Sequence, residues 1–363
     1  MCYNYIGEIM KVIISAGGTG GHIYPALAIL NKIKEHDSNA EFLYIGTTDR
    51  MESKIVPERG INYYGIKMIG LHKNLTAFKS IYLFLKSIKL CKNKIKEFKP
   101  DVVIGVGGYV TTPVILAAHR LHIKTIIHEQ NSIPGKSNRL LTKYVDKVLV
   151  SLPGSIKYFD KNKTVYTGNP RSSEVYNMKP ISKGELGFEE NKKLVLIVMG
   201  SLGSMTINNE LLKIIPKFKD CKYNVLIVTG KDYISLFDFD YKNVKIVPYL
   251  ENMGNVLKSV DVIVTRAGAS TLAEILGLGI PSILVPSPYV ANNHQYYNAM
   301  EIVNNKAGLL LEEKDFNADN LKEKIDLLLE DNNLYNECHN NAFNMGIRDS
   351  SDKIYEEIIK ILR

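Results

Sequence analysis

The sequence predicts an α/β protein built from two doubly wound parallel-sheet domains, and three observations carry that expectation. Short apolar runs alternate with stretches of helical spacing; the alternation restarts midway along the chain; and each half opens with an apolar run, a glycine-rich turn and a helix. Strands separated by helices are parallel, and uninterrupted apolar strands are buried on both faces.

The first half begins with KVIISA (11–16), then glycines, then helical spacing over Ile23–Glu35. Further strand-like runs are EFLYIG (41–46), DVVIGV (101–106), TIIH (125–128) and KVLV (147–150). The turn-rich stretch YTGNPRSSEVYNMKP (166–180) reads as a linker. The pattern restarts with LVLIVMG (194–200), a second glycine turn and a helix from about Thr206, followed by NVLIV (224–228), VKIV (244–247), DVIV (261–264) and PSILV (281–285). The expected organisation is a first domain over 11–167, a second over 168–345 and a C-terminal helix over 346–363 placed against the first domain. Such sheets bind ligands outside the carboxyl ends of their strands, so a cleft between the domains is the expected site.

A chain of 363 residues suits two ordinary cores, and 45% apolar with 23% charged residues excludes wholesale disorder and fibrous folds. Cys2, Cys91, Cys221 and Cys338 are scattered without a CxxC pair, so neither a disulfide framework nor a structural zinc site is expected, and a reducing compartment fits. No apolar run approaches the roughly 20 residues of a spanning helix, and MCYNYIGEIM lacks a secretory pattern, so the chain is expected to stay in the cytoplasm. The net charge of +8 invites nucleic acid or an anionic surface. Eight lysines against the single acid Glu97 lie between His72 and Lys99, a local patch without the aromatic–glycine signatures of RNA-binding modules. An anionic membrane is therefore the expected partner, and nucleic acid is not.

The turn Gly17-Gly18-Thr19-Gly20-Gly21-His22 lets backbone N–H groups approach a phosphate at a helix N-terminus. By itself it also fits a purely structural tight turn, or a dinucleotide-binding oxidoreductase with Glu41 near the position of its ribose-binding acid. The spacing GGTGGH is not the strict GxGxxG, however, and a second loop, Gly200-Ser201-Leu202-Gly203-Ser204, opens the other half.

AGGTGGHIYPALAI (16–29), GVGGYVTTP (105–113), HEQNSIPG (128–135), TGNPR (167–171), MGSLGS (199–204), RAGASTLAEI (266–275) and NNHQYYNA (292–299) occur in one order across nearly the whole chain. In that order they resemble the motifs of the bacterial lipid II-forming N-acetylglucosaminyltransferases, the MurG family. The resemblance implies a GT-B fold: two Rossmann-like domains with an interdomain cleft, donor nucleotide mostly in the second and acceptor mostly in the first. It implies transfer of N-acetylglucosamine, with inversion, from UDP-GlcNAc to the 4-hydroxyl of the MurNAc-pentapeptide of undecaprenyl-pyrophosphate-linked lipid I. The implied location is peripheral, on the cytoplasmic face of the cell membrane, with the cell-wall and division machinery as protein partners. Rivals are another GT-B enzyme on UDP-GlcNAc (an epimerase or a glycolipid transferase) and a nonenzymatic adaptor binding nucleotide and lipid. The chain departs from the family in two places. Ten residues precede Lys11, making Met10 the expected initiator, and GNPR (168–171) is one residue shorter than the GNPVR of many relatives, which leaves the role of Arg171 open by one position.

The resemblance assigns the uracil edge to the backbone at Leu250, the diphosphate to the helix start Ala269-Ser270-Thr271-Leu272-Ala273 and to Ser201, and the ribose hydroxyls to Glu274. Gln295, beside Asn292 and His294, is assigned the sugar; Thr19, Gly20, Gly21, Asn131 and Arg171 are assigned to the donor from the other domain. For the acceptor proton, His22 titrates near neutrality at a loop–helix junction, and Glu129 in HEQN is the rival base or an orienting group. The Asp-x-Asp at Asp238 and Asp240 reads as a surface turn, so neither metal nor other cofactor is expected. Between Leu75 and Phe98, the residues Leu75, Phe78, Tyr82, Leu85 and Ile88 form a helical stripe, with Ile81, Leu83 and Phe84 outside it. With Lys73, Lys79, Lys86 and Lys89 alongside, that helix either meets anionic headgroups at about 1 kcal/mol per lysine or is an ordinary core helix with a solvated lysine face.

Overall fold

The computed structural model describes residues 9–68, 77–200 and 203–363, the side chains of 77–79 excepted. The leader through Glu8, Lys73, Leu75, the side chains of Phe78 and Lys79, and Ser201 with Leu202 lie outside the described residues. The chain forms two compact units, Met1–Arg171 with Asp349–Arg363, and Ser172–Arg348. The first crossing therefore follows GNPR instead of preceding it, and the second comes just before the last helix.

In the first unit, β1 (Lys11–Ala16), β2 (Glu41–Thr47), β3 (Asn62–Ile66), β4 (Val102–Gly107), β5 (Lys124–Glu129), β6 (Lys147–Val150) and β7 (Thr164–Tyr166) form a seven-stranded sheet in the order β3-β2-β1-β4-β5-β6-β7. All its pairings are parallel. Its helices are α1 (Gly20–His36), α2 (Glu52–Ile55), α3 (Ala77–Phe98), α4 (Thr111–His119) and α5 (Lys136–Leu141). Within the expected linker the chain instead builds α6 (Pro170–Asn177). Pro170 occupies its first position, where the missing N–H costs no helical hydrogen bond.

In the second unit, β8 (Leu194–Val198), β9 (Asn224–Val228), β10 (Val244–Val247), β11 (Val262–Thr265), β12 (Ser282–Leu284) and β13 (Gly308–Leu310) are ordered β10-β9-β8-β11-β12-β13, again all parallel. Helices α7 (Met205–Ile214), α8 (Met253–Leu257), α9 (Ala269–Leu278), α10 (His294–Asn304), α11 (Ala318–Glu330) and α12 (Asn332–Met345) belong to it, and α13 (Ser350–Leu362) returns to the first unit.

Each sheet separates two cores because successive side chains of a strand point to opposite faces. Along β1, Val12, Ile14 and Ala16 enter the core beneath α1, and Ile13 enters the one on the opposite face. Along β8, Val195 and Ile197 face one core, and Leu194, Leu196 and Val198 the other. Helix α13 completes the first core with Ile354, Tyr355, Ile358, Ile359 and Ile361, and Tyr355 stacks on His36 of α1 at a centroid distance of 4.0 Å.

The stripe expected for α3 is displaced. The buried seam is Ser80, Ser87, Ile88, Cys91 and Ile95, whereas Ile81, Tyr82 and Leu85 are 49%, 63% and 57% exposed. The face that carries Ser80 and Ser87 is the one the fold buries, and bulky residues of the first turns are left on the outer face.

Ile358→Ala, which empties a fully buried position far along the chain from the first core's strands, is expected to cost about 2–5 kcal/mol of first-unit stability in urea unfolding. The exposed Glu356→Ala on the same helix is expected to stay within about 0.5 kcal/mol. Equal effects would show that α13 is not part of that core.

Candidate active site

In a doubly wound sheet the loops diverge where the strand order reverses, leaving a crevice at the carboxyl ends. The reversals fall between β1 and β4 in the first unit and between β8 and β11 in the second. The loops leaving these strands are 17–19, 108–110, 199–204 and 266–268, four of the segments singled out by sequence. Glu41, the candidate ribose acid of the oxidoreductase reading, starts β2 at the opposite edge and pairs with Lys11 at 3.0 Å.

In the first unit, the glycine turn ends at Thr19, whose carbonyl accepts from His22 and Ile23 and so starts α1. His22 is half-buried, and its Nδ1 lies 3.1 Å from the Gly17 carbonyl oxygen. A carbonyl only accepts, so Nδ1 carries the proton and the neutral ring holds its lone pair on Nε2. The ring lies against the backbone of Gly107, where a Cβ would stand 2.5 Å from His22 Cδ2; at Gly108 a Cβ would stand 2.5 Å from the Gly17 carbonyl oxygen. The pair in GVGGYV is thus glycine because the first loop and its histidine occupy that space. Thr19 and Gly21 are exposed and Gly20 is half-buried.

Glu129 is 2% exposed. Its Oε1 accepts from the backbone N–H and side-chain amide of Asn131 at 2.9 and 3.2 Å, and its Oε2 from Gly135 N–H at 3.1 Å and Asn138 Nδ2 at 2.9 Å. A carboxylate holding four donors shapes a loop, and it would have to release one of them to take a proton. The geometry favours the orienting role over the base. Beside it, fully buried His128 binds the Gly168 carbonyl through Nε2 at 3.0 Å, while Gln130 Nε2 contacts its Nδ1 at 3.0 Å and the Val106 carbonyl at 2.9 Å. HEQN thereby ties the end of β5 to both the GNPR loop and β4. Burial lowers the His128 pKa from 6.5 to about 4, against a smaller opposing effect of its bond to Gly168. Arg171 N–H binds Asn169 Oδ1 at 3.1 Å, and its guanidinium lies over the Tyr24 ring at 5.9 Å, as does that of Arg59 at 5.7 Å.

In the second unit, α9 starts at Ala269 directly after Gly268, and Leu272 N–H returns to the Gly268 carbonyl at 2.9 Å. Leu272 itself is fully buried in the core, so neither its side chain nor its amide faces a ligand. The first turn of α9 before it is Ala269–Thr271, and Ala273 is half-buried behind it. Glu274, 9% exposed, lies one turn further along α9, and Leu250 is half-buried in the loop after β10. Gln295 is held by a bond from Ser287 N–H to its Oε1 at 2.9 Å, which fixes the orientation of the amide and leaves Nε2 as donor and the second lone pair of Oε1 as acceptor. The preceding Asn292 and Asn293 have φ of 55° and 50°, a left-handed pair that asparagine tolerates better than most residues. Arg266, missed by the sequence reading, lies 2.6 Å from the buried Glu313 carboxylate and 3.3 Å from Ser204 Oγ, anchoring the end of the glycine loop. Asp238 and Asp240 are exposed near the amino end of β10, away from the carboxyl-end loops. Among the described residues no cluster of three or more His, Cys, Asp or Glu is placed to hold a metal ion.

Because the folded-state pKa of His128 lies below its ordinary value, the unfolded chain binds more protons between pH 4 and 6.5. Its stabilising contribution is complete above pH 6.5 and is lost as pH falls toward 4, by about 3 kcal/mol. In urea titrations over this window, His128→Asn is expected to show a correspondingly shallower loss; parallel curves would contradict the buried neutral ring.

The glycosyltransferase family 28 N-terminal domain matches residues 12–150, and the family's C-terminal domain matches 194–354. Over 98% of the chain, it is 43% identical to the UDP-N-acetylglucosamine–N-acetylmuramyl-(pentapeptide) pyrophosphoryl-undecaprenol N-acetylglucosamine transferase of Bacillus licheniformis, covering 99% of that protein. It is 44% identical to transferase 1 of the same name from Bacillus cereus, covering 98% of this chain and 100% of that one. The crystal structure of Acinetobacter baumannii MurG superposes with a TM-score of 0.79 at 26% identity, over 97% of this chain and 99% of that one. A UDP-GlcNAc 2-epimerase from Neisseria meningitidis shares the fold alone, at TM-score 0.65 and 17% identity over 97% and 100% of the two chains. The chain belongs to glycosyltransferase family 28, within its full-length N-acetylglucosamine transferases.

Proposed function

We propose that the chain transfers N-acetylglucosamine from UDP-GlcNAc to lipid I, forming lipid II. The full-length identity of 43–44% to transferases of that name carries this reading, since the epimerase likeness extends to the fold alone. The acceptor's 4-hydroxyl oxygen attacks the anomeric carbon, the bond from that carbon to the diphosphate breaks, and its electron pair leaves with UDP. His22 Nε2 takes the hydroxyl proton; the proton on Nδ1, held by Gly17, fixes the tautomer in which Nε2 is the base. In the second unit the first turn of α9 and the 200–204 loop receive the diphosphate, Glu274 the ribose hydroxyls and Gln295, through Nε2, the sugar. Incubation with UDP-GlcNAc and a lipid I analogue tests the assignment: UDP appears only when both are present. UDP release with epimerised sugar from UDP-GlcNAc alone would mark an epimerase, and binding without turnover an adaptor.

The membrane is the proposed partner of α3. Ile81, Tyr82 and Leu85 stand exposed beside Lys86 and Lys89, an apolar patch with a cationic border suited to an interface carrying a lipid-linked acceptor. No helix of the described residues is long and apolar enough to cross a membrane, which leaves surface attachment as the mode proposed.

His22→Ala is expected to lower kcat by about 10²–10⁴-fold with little change in UDP inhibition, and His22→Gln not to restore it, because an amide takes no proton at neutral pH. A near-normal kcat for the Gln variant removes the base role. Replacing Ile81, Tyr82 and Leu85 by Ser is expected to release the protein from vesicles of anionic phospholipid while turnover of a short-chain soluble acceptor is kept. Lys86→Glu with Lys89→Glu is expected to weaken the same binding most at low salt. Unchanged vesicle binding in both variants would place the attachment surface elsewhere.

A further inference from the structure

Glu52 opens the short helix α2 with no solvent exposure at all, in a stretch without any recognisable motif. Burying a carboxylate costs several kcal/mol unless fixed donors replace its water. Here Oε2 accepts from Gly18 N–H at 3.1 Å, and Oε1 accepts from Thr47 N–H at 3.1 Å and Thr47 Oγ1 at 2.7 Å. A Cβ on Gly17 would stand 2.4 Å from Glu52 Oε1, and one on Gly46 would stand 2.7 Å from its Cγ. Glu52 thus fills the space beside Gly17, and with the Tyr63 ring the space beside Gly46. On the other side of the loop, Gly17 N–H donates to the Gly107 carbonyl at 3.2 Å, so the turn is gripped from both flanks. Tyr44, whose hydroxyl donates to the Ala16 carbonyl at 3.0 Å, and Tyr63, whose hydroxyl donates to the Thr47 carbonyl, wall the carboxylate in.

The Gly18 N–H that binds Glu52 and the Gly17 carbonyl that binds His22 Nδ1–H belong to the same peptide unit. We propose that Glu52 is a positioning residue for His22, acting through the peptide bond between Gly17 and Gly18. The chain of contacts runs carboxylate, N–H, C=O, Nδ1–H, with Nε2 at its far end. An anion on the N–H side polarises the peptide and strengthens its carbonyl as an acceptor, since linked hydrogen bonds reinforce one another. That holds the imidazole in one tautomer and one orientation, as a carboxylate does by direct contact in hydrolase triads. The inference rests on the reading of His22 as the base and adds the device that keeps it in register.

Glu52→Gln conserves volume but sets an NH₂ or a weaker, neutral acceptor against Gly18 N–H. With a melting temperature measured as the folding control, it is expected to lower kcat by about 10–100-fold and to leave inhibition by UDP within about twofold. In a His22→Ala background the same change is expected to cost nothing further. Equal losses in kcat and UDP inhibition, an unchanged kcat, or a full additional loss in that background would each overturn the proposal. The ¹⁵N spectrum of the histidine-labelled wild type, with His22 assigned by its absence in His22→Ala, decides the case even if Glu52→Gln fails to fold. A ring protonated on Nδ1 at neutral pH supports it, and one protonated on Nε2 overturns it. A normal kcat in His22→Gln overturns the base reading instead, leaving the spectrum to report on the loop alone.

Discussion

Reversal of strand order at the centre of each sheet is the constraint on which the rest of the structure depends. A parallel sheet covered on both faces has its backbone groups consumed by the ladder and its side chains by two cores. Free amides and polar side chains gather only where chains leave the carboxyl ends, and neighbouring loops part only where the winding changes direction. In the first unit this places Gly17 and His22 beside Gly108 and Gly107; in the second it brings Ser204 to Arg266, in the loop that leads into α9. The same solution arises twice from the same topology, and each copy is then specialised by its loop residues.

Loops of glycine do not hold a shape by themselves, because glycine loses the most conformational freedom on ordering. In this chain buried polar groups impose the shape from behind. Glu52 grips the first loop, Glu129 gathers the backbone and amide donors of HEQN, His128 ties that segment to Gly168, and Arg266 with Glu313 braces Ser204. Each such group is costly to bury and persists because its partners are fixed, so the stability of the scaffold and the geometry of the site are coupled through the same bonds. The cost of shaping loops this way is sensitivity: removing one partner leaves an uncompensated group beneath a loop of the candidate site.

Helix α3 shows how packing, not periodicity, sets which face of a helix meets water. Its sequence carries enough bulky residues for two apolar faces. The face carrying Ser80, Ser87, Ile88, Cys91 and Ile95 is buried, and Ile81, Tyr82 and Leu85 are left outside. An apolar face beside lysines suits the lipid-linked acceptor of the proposed reaction.

The sequence by itself determined the class of fold, the strand runs at the centre of both sheets and the loops that leave them where the strand order reverses, because unbroken β-branched runs and clustered glycines are local signals. It missed β3, β7 and β13, short edge-side strands whose side chains are half exposed and whose composition resembles loops. It took Pro170–Asn177 for linker, although a proline in the first helical position is a helix-start signal. Among candidate site residues it offered His22 by its type and position and Glu274 and Gln295 by resemblance, but it could not see that Leu272 faces the core or that Ser287 N–H orients the Gln295 amide. Glu52 left no trace, and Arg266 entered only as the first residue of RAGASTLAEI with no role assigned, since a charged residue reads as surface until folding encloses it. Only tertiary structure decided those roles. What makes a buried carboxylate functional is the set of donors around it, and Gly18 lies 34 residues from Glu52 along the chain.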